Sequence, residues 1–163
     1  PPFSVALDKG RVEFCGKIDR VDRLDTDGKT YVRIVDYKTG GKPDNLKDID
    51  ALFSPIGKRN GYIFQAMLYS VAALESGIAQ KASPLLIYIN KAMDKKREDF
   101  VVHINKEKVE DASKHCKEFK ALLELKLSEL FDVNTPFSVT DDEERCLWCD
   151  FKNICERKGK KGF

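Results

Sequence analysis

Asp27-Gly28 is the feature that most restricts how this chain can fold. It stands between residues 11–25 and residues 30–38, two runs rich in Val, Ile, Phe and Tyr. A two-residue hairpin turn needs positive φ at both central positions, and Asp-Gly meets that need with little strain. The pattern therefore predicts an antiparallel hairpin that turns at residues 26–29.

The rest of the chain alternates breakers with periodic segments. Gly40-Gly41, Pro43, Asp44-Asn45, Pro55 and Gly57 predict irregular structure over residues 39–60. Residues 61–76 (GYIFQAMLYSVAALES) read as a helix that is apolar around most of its circumference, hence buried, with Gly77 as its stop. Pro84 introduces a short apolar strand at residues 85–89. Residues 99–104 predict a second strand, paired with it across the charged loop 90–98. Val109, Ala112, Cys116, Phe119, Leu122, Leu123, Leu127 and Leu130 recur at three- and four-residue steps, which predicts one amphipathic helix over residues 106–131. The sum is an α/β domain, a mixed central β-sheet flanked by helices.

At 163 residues the chain is one domain's worth, able to bury a real core. Its 29 Lys and Arg against 27 Asp and Glu leave a net charge of +2. A balanced total does not exclude nucleic acid, because binding depends on where the cations cluster. No apolar run approaches the roughly 18 residues that span a membrane, and no signal-peptide pattern is present, so the expected compartment is cytoplasmic with no membrane partner. The chain begins Pro1-Pro2 without Met, which reads as a fragment of something longer.

Chemistry concentrates on the hairpin. Side chains alternate along a strand, so Asp36 and Lys38 share a face about 6–7 Å apart, with Val35 and Tyr37 on the other. Asp19 lies on the strand that the turn folds back beside them. Two carboxylates and an ammonium in one patch suit Mg²⁺ or Mn²⁺, which take carboxylates, waters and substrate phosphate. A lysine there can orient the attacking water and offset charge on phosphorus. The plainer alternative is a surface hairpin with a cross-strand salt bridge. Lys42, Lys47, Lys58 and Arg59 in the irregular segment are candidates to meet phosphate. So are Lys152, Arg157, Lys158, Lys160 and Lys161 near the C-terminus. Solvated surface is the simpler role for each.

Gly16-Lys17-Ile18-Asp19-Arg20-Val21-Asp22, followed by Val35-Asp36-Tyr37-Lys38-Thr39-Gly40, resembles the core of PD-(D/E)XK nucleases of the RecB/AddB type. The resemblance spans residues 11 to 155 and implies a restriction-endonuclease-like core, with residues 1–163 a single domain cut short on its N-terminal side. It implies Asp19 and Asp36 as metal ligands, the Tyr37 backbone carbonyl as a further ligand, and Lys38 as the catalytic lysine. Asp22 is a weaker candidate, with a salt bridge to an arginine as its alternative role. Gln65 and Tyr69 supply the family's Q-x-x-x-Y motif, and their i, i+4 spacing puts both on one helical face in the catalytic set. By the same resemblance the chain is a Mg²⁺-dependent DNA exonuclease domain, the C-terminal part of an AddB-like helicase–nuclease in double-strand-break repair. Its implied partners are DNA ends or single strands, the helicase region of the same polypeptide, and a second helicase–nuclease subunit. No G-x-x-x-x-G-K-[ST] phosphate loop occurs here. A non-catalytic DNA-binding or scaffold module is the alternative; an inactive relative would lack one of Asp19, Asp36 or Lys38, and all three are present.

Five cysteines, an odd count, argue against a secreted disulfide framework. Cys146, Cys149 and Cys155 crowd into residues 141–163, ahead of a basic tail, and suggest thiolate ligands for a soft metal. They resemble the C-terminal part of the family's iron–sulfur staple, in which four thiolates hold a four-iron four-sulfur cluster. Neither Cys15 nor Cys116 fits the fourth place, so that ligand is expected before Pro1. Zinc is the alternative metal, but no second C-x-x-C or His pair completes its site, and His103 and His115 do not pair by spacing. A zinc-organised interaction domain would leave the Asp36-Tyr37-Lys38 strand unexplained.

Overall fold

The computed structural model describes residues 3–40, 45–55, 60–91 and 100–157. Phe3–Leu7 (β1) and Gly10–Phe14 (β2) pair antiparallel across Asp8-Lys9, a hairpin that no turn signal announces. The rings of Phe3 and Phe14 close it, with centroids 5.6 Å apart. The chain then leaves the ladder over residues 15–19, so the run expected as one strand over 11–25 is two strands. The break falls where Gly16 passes the ring of Tyr69, so close that a Cβ would stand 3.0 Å from it.

Arg20–Thr26 (β3) and Lys29–Lys38 (β4) form the expected hairpin, with Thr26 opposite Lys29. Asp27 (φ 52°) and Gly28 (φ 68°) are both left-handed, as a two-residue turn of this kind requires. Within the segment expected to be irregular, Asn45–Leu46 (β5) forms a short strand. Gly61–Glu75 (α1) matches the predicted helix and carries the chain to Lys81–Tyr88 (β6), which lies parallel to β4. Gly77 ends α1 at φ 70°, its N–H on the Leu74 carbonyl at 3.1 Å and that of Ile78 on the Ala73 carbonyl at 3.2 Å. The sheet β3-β4-β6 is therefore mixed, with α1 packed on it.

β6 begins before Pro84 rather than after it, and ends at Tyr88. The carbonyls of Ala82 and Pro84 accept the N–H groups of Ala112 at 2.7 Å and Val102 at 3.1 Å. They face away from β4, and a residue's N–H leaves a strand on the same side as its C=O. The N–H that Pro84 lacks is thus no loss to the β4–β6 ladder.

β5 runs parallel to His103–Ile104 (β7), which turns back antiparallel into Glu107–Lys108 (β8). Among the described residues, the pairing expected between residues 99–104 and the strand after Pro84 is one bridge, Leu85 with Val101. Residues 92–99 of the expected loop and strand lie outside the described residues. Asn105 (φ 50°) and Lys106 (φ 66°) make a tight turn, so the helix expected from residue 106 starts later, as Ser113–Leu130 (α2).

The main core gathers α1, α2, β1 and the β5–β7 strands, with Phe119, Met67, Val71, Leu46 and Ile49 at most 2% exposed. Phe53, Phe64 and Phe119 meet with centroids 5.3 to 5.5 Å apart and tie α1 to α2. A second cluster, Val32, Ile34, Ala73, Ala79 and Ala82, seats β4 and β6 on α1. Among the described residues, no helix is long and apolar enough to cross a membrane.

Candidate active site

β4 carries the site at its C-terminal end. Alternation puts Val32, Ile34, Asp36 and Lys38 on the face that meets α1. Asp36 is only 4% exposed, and its Oδ2 lies 2.5 Å from Lys38 Nζ. That contact is an ion pair without an aligned hydrogen bond, so Oδ2 is a buried carboxylate oxygen with no hydrogen-bond donor. Lys38 Nζ donates instead to Gln65 Oε1 at 2.8 Å and stands over the Tyr62 ring, 4.3 Å from its centroid. Gln65 Nε2 in turn donates to the Tyr69 hydroxyl at 3.0 Å.

Asp19 is not on a strand, contrary to expectation; it occupies the bend just before β3. It nevertheless reaches the site, because its Oδ2 accepts the Tyr37 N–H at 2.9 Å. The hairpin register, continued by one residue beyond Arg20 opposite Val35, sets Asp19 opposite Asp36. In an extended strand the N–H and C=O of one residue leave on the same side. The Tyr37 carbonyl therefore opens toward Asp19 too. Asp22 pairs in register with Arg33, on the opposite face of the sheet, and its Oδ1 holds Arg20 Nε at 2.6 Å. The salt bridge expected as its alternative role is the one seen.

Whether these residues suit a divalent cation can be read from the donors. The buried Oδ2 of Asp36, ion-paired with Lys38, the Asp19 carboxylate and the Tyr37 carbonyl are hard oxygens at one end of β4, the donor set that Mg²⁺ or Mn²⁺ takes alongside waters. The set fits. The cysteines differ. All five are free thiols, Cys146 buried, Cys149 half-buried and Cys155 exposed. Among the described residues, no group of three or more His, Cys, Asp or Glu side chains is placed to hold a metal ion.

Of the basic residues named from sequence, Lys42, Lys58, Arg59, Lys158, Lys160 and Lys161 lie outside the described residues. Arg157 is committed to structure, donating to Glu143 Oε1 at 2.9 Å and to the Thr140 carbonyl at 2.8 Å. Lys47 is exposed beside Asp48. One site neighbour escaped the sequence reading, Tyr62, whose ring underlies Lys38; Gly16, read from sequence only as part of the motif, makes room for Tyr69. Tyr62 carried a findable signal, one turn of helix before Gln65.

Known proteins resemble this sequence. A sequence model of the PD-(D/E)XK nuclease superfamily matches residues 2–156. An ATP-dependent helicase/deoxyribonuclease subunit from Acetivibrio thermocellus is 41% identical over 87 residues, 53% of this chain and 7% of the relative. The protein of the same name from Caldanaerobacter subterraneus is 40% identical over 97 residues, covering 58% of this chain and 8% of the relative. That from Ruminiclostridium cellulolyticum is 26% identical over 205 residues, covering 96% of this chain and 18% of the relative. The chain thus spans less than a fifth of the length of these relatives. No solved structure matches it.

Proposed function

The chain belongs to the PD-(D/E)XK nuclease superfamily, and from that premise we propose that it is the nuclease part of a helicase–nuclease, a metal-dependent DNA exonuclease domain serving double-strand-break repair in the cytoplasm. The observation that carries the reading is Asp36: a buried carboxylate oxygen without a hydrogen-bond donor, beside an ammonium and level with a second carboxylate. The Lys38 ammonium balances one of the two carboxylate charges, and a divalent cation would balance the other. The names of the relatives support DNA as substrate and a helicase region as companion.

Asp19, Asp36 and the Tyr37 carbonyl would hold the cation, which when bound polarises the phosphodiester and acidifies a water. Lys38 keeps its ammonium at the edge of that oxygen set. There it donates a hydrogen bond to the attacking water and offsets the negative charge that builds on the phosphoryl oxygens. The water oxygen bonds to phosphorus and gives up a proton to solvent as the opposite P–O ester bond breaks, and the departing oxygen takes up a proton from solvent. Gln65 and Tyr69 extend the hydrogen-bonded line away from Lys38. A four-iron four-sulfur cluster would need a thiolate beyond Cys146, Cys149 and Cys155, and no step is assigned to it.

The test is digestion of single-stranded DNA with Mg²⁺, by this chain and by a longer polypeptide carrying it, with and without Lys38→Ala. Loss of a positioned hydrogen-bond donor of this kind costs about 10²- to 10³-fold in rate. An inert longer polypeptide, or a Lys38→Ala variant that digests as well as the parent, overturns the reading.

A further inference from the structure

Lys38 ends in a compact charge on four flexible methylenes, and such a side chain ranges widely unless it is held. Here it touches Asp36, Gln65 and Tyr62. Two of the three come from α1, spaced i and i+3 on one helical face. The ammonium can only donate, so it needs the amide oxygen of Gln65 rather than the nitrogen. Lys38 itself makes that choice, and Tyr69 ties down the other end of the amide: its hydroxyl accepts a hydrogen bond from Gln65 Nε2 at 3.0 Å while Oε1 faces Lys38.

Tyr69 is itself held. A Cβ at Gly16 would lie 3.0 Å from Tyr69 Cε1 and 3.2 Å from its hydroxyl oxygen. Gly16 is not in the left-handed region, so it is needed there for space and not for backbone freedom. Gly28 is the reverse case, left-handed with open space around it. The glycine three residues before Asp19 is thus tied to a helix far along the chain.

We propose that Gly16 and Tyr62 are positioning residues for the Lys38 ammonium, Gly16 by seating Tyr69 and through it the Gln65 amide, Tyr62 by its ring face. The proposal rests on the reading of Lys38 as the catalytic lysine. Tyr62 is 46% exposed, so replacing it leaves the core intact.

Two measurements test it. In the metal-free protein, the Lys38 Hε protons over the Tyr62 ring show a ring-current upfield shift by NMR. Tyr62→Leu abolishes that shift and Tyr62→Phe keeps it, while Gly16→Ala and Tyr69→Phe both move the Gln65 side-chain amide resonances. In Mg²⁺-dependent cleavage of single-stranded DNA, Tyr62→Leu and Gly16→Ala lower kcat by about 10- to 100-fold with KM unchanged, as misplaced reacting groups do. Tyr62→Phe restores the rate, and Gly16→Ala with Tyr69→Phe is no worse than the more impaired single variant, because both act through Gln65. A Tyr62→Phe variant as slow as Tyr62→Leu, or a rise in KM at constant kcat, overturns the assignment and makes Tyr62 a contact for DNA. Gln65 resonances that stay in place in Gly16→Ala overturn it for Gly16. A parent protein that cuts nothing while the NMR pattern holds would sink the nuclease reading and uphold the arrangement around Lys38.

Discussion

Asp19 Oδ2 accepts the backbone N–H of Tyr37 at 2.9 Å, the hydrogen that the hairpin register would otherwise offer to the carbonyl of Ile18. One carboxylate thereby finishes the β3–β4 ladder and stands level with Asp36. The two roles come apart by mutation. Asp19→Ala loses the acceptor and costs about 1 kcal/mol of stability in a denaturant titration. Asp19→Asn keeps an acceptor and stays within about 0.5 kcal/mol of the parent. Cleavage falls at least about 100-fold in both, because each removes the charge. An active Asp19→Asn would leave Asp19 only its structural part.

The hairpin turn gives a simpler expectation. Gly28 has φ 68° and nothing within 4 Å of where a Cβ would lie. Gly28→Ala therefore meets no clash, and its cost of about 1 kcal/mol is conformational. Urea titration checks this. A loss several times larger would mean that the turn packs against something.

These two cases show what local patterning can carry. Asp27-Gly28 is legible because the turn and the residues that need it are adjacent, and Asp36 and Lys38 because strand alternation has a period of two. Residues 11–25 pattern as one strand, since Val12, Phe14, Ile18, Val21 and Leu24 all suit one. At the break Gly16 meets the ring of Tyr69, which arrives from α1, and no window around Gly16 contains it. The start of α2 is hidden for a related reason. Val109 and Ala112 recur at helical steps and are buried, but the left-handed pair Asn105-Lys106 turns the chain into β8 first. Neither residue is glycine, so the turn is silent. In sequence Tyr62 is an aromatic at a helix start, and only the fold sets the Lys38 ammonium over its ring.

Cys116 offers a prediction about pH. Burial, and after it the Glu75 carboxylate, push its thiol above the ordinary cysteine range. The folded value exceeds the unfolded one, so the stability tied to the protonated thiol is complete below the ordinary value. It is lost as pH rises through the raised one. At pH 8 iodoacetamide should label Cys116 more slowly than the exposed Cys155, with the gap closing at higher pH. Glu75→Gln, which removes the carboxylate 3.8 Å from the sulfur, should speed it. Mass spectrometry of timed labelling reads both. Equal rates at pH 8 would count against the burial.

Asp36 and Lys38 allow the cation to be tested without any cleavage assay. Lys38→Met leaves a carboxylate that is 4% exposed with no neighbouring cation, and breaking such a pair from one side costs about 3 kcal/mol. Asp36→Asn combined with Lys38→Met removes both charges and recovers most of that loss. Mg²⁺ at about 100 times its Kd should stabilise the parent by ~2.7 kcal/mol, since an ion that binds only the folded state adds its binding free energy to folding. Lys38→Met keeps the Asp36 oxygens and should respond at least as strongly, with no competing ammonium. The double variant, which lacks the Asp36 charge, should not respond. Denaturation midpoints with and without Mg²⁺ decide the matter. A double variant that is stabilised as much as the parent would place the ion elsewhere and remove Asp36 from the metal site.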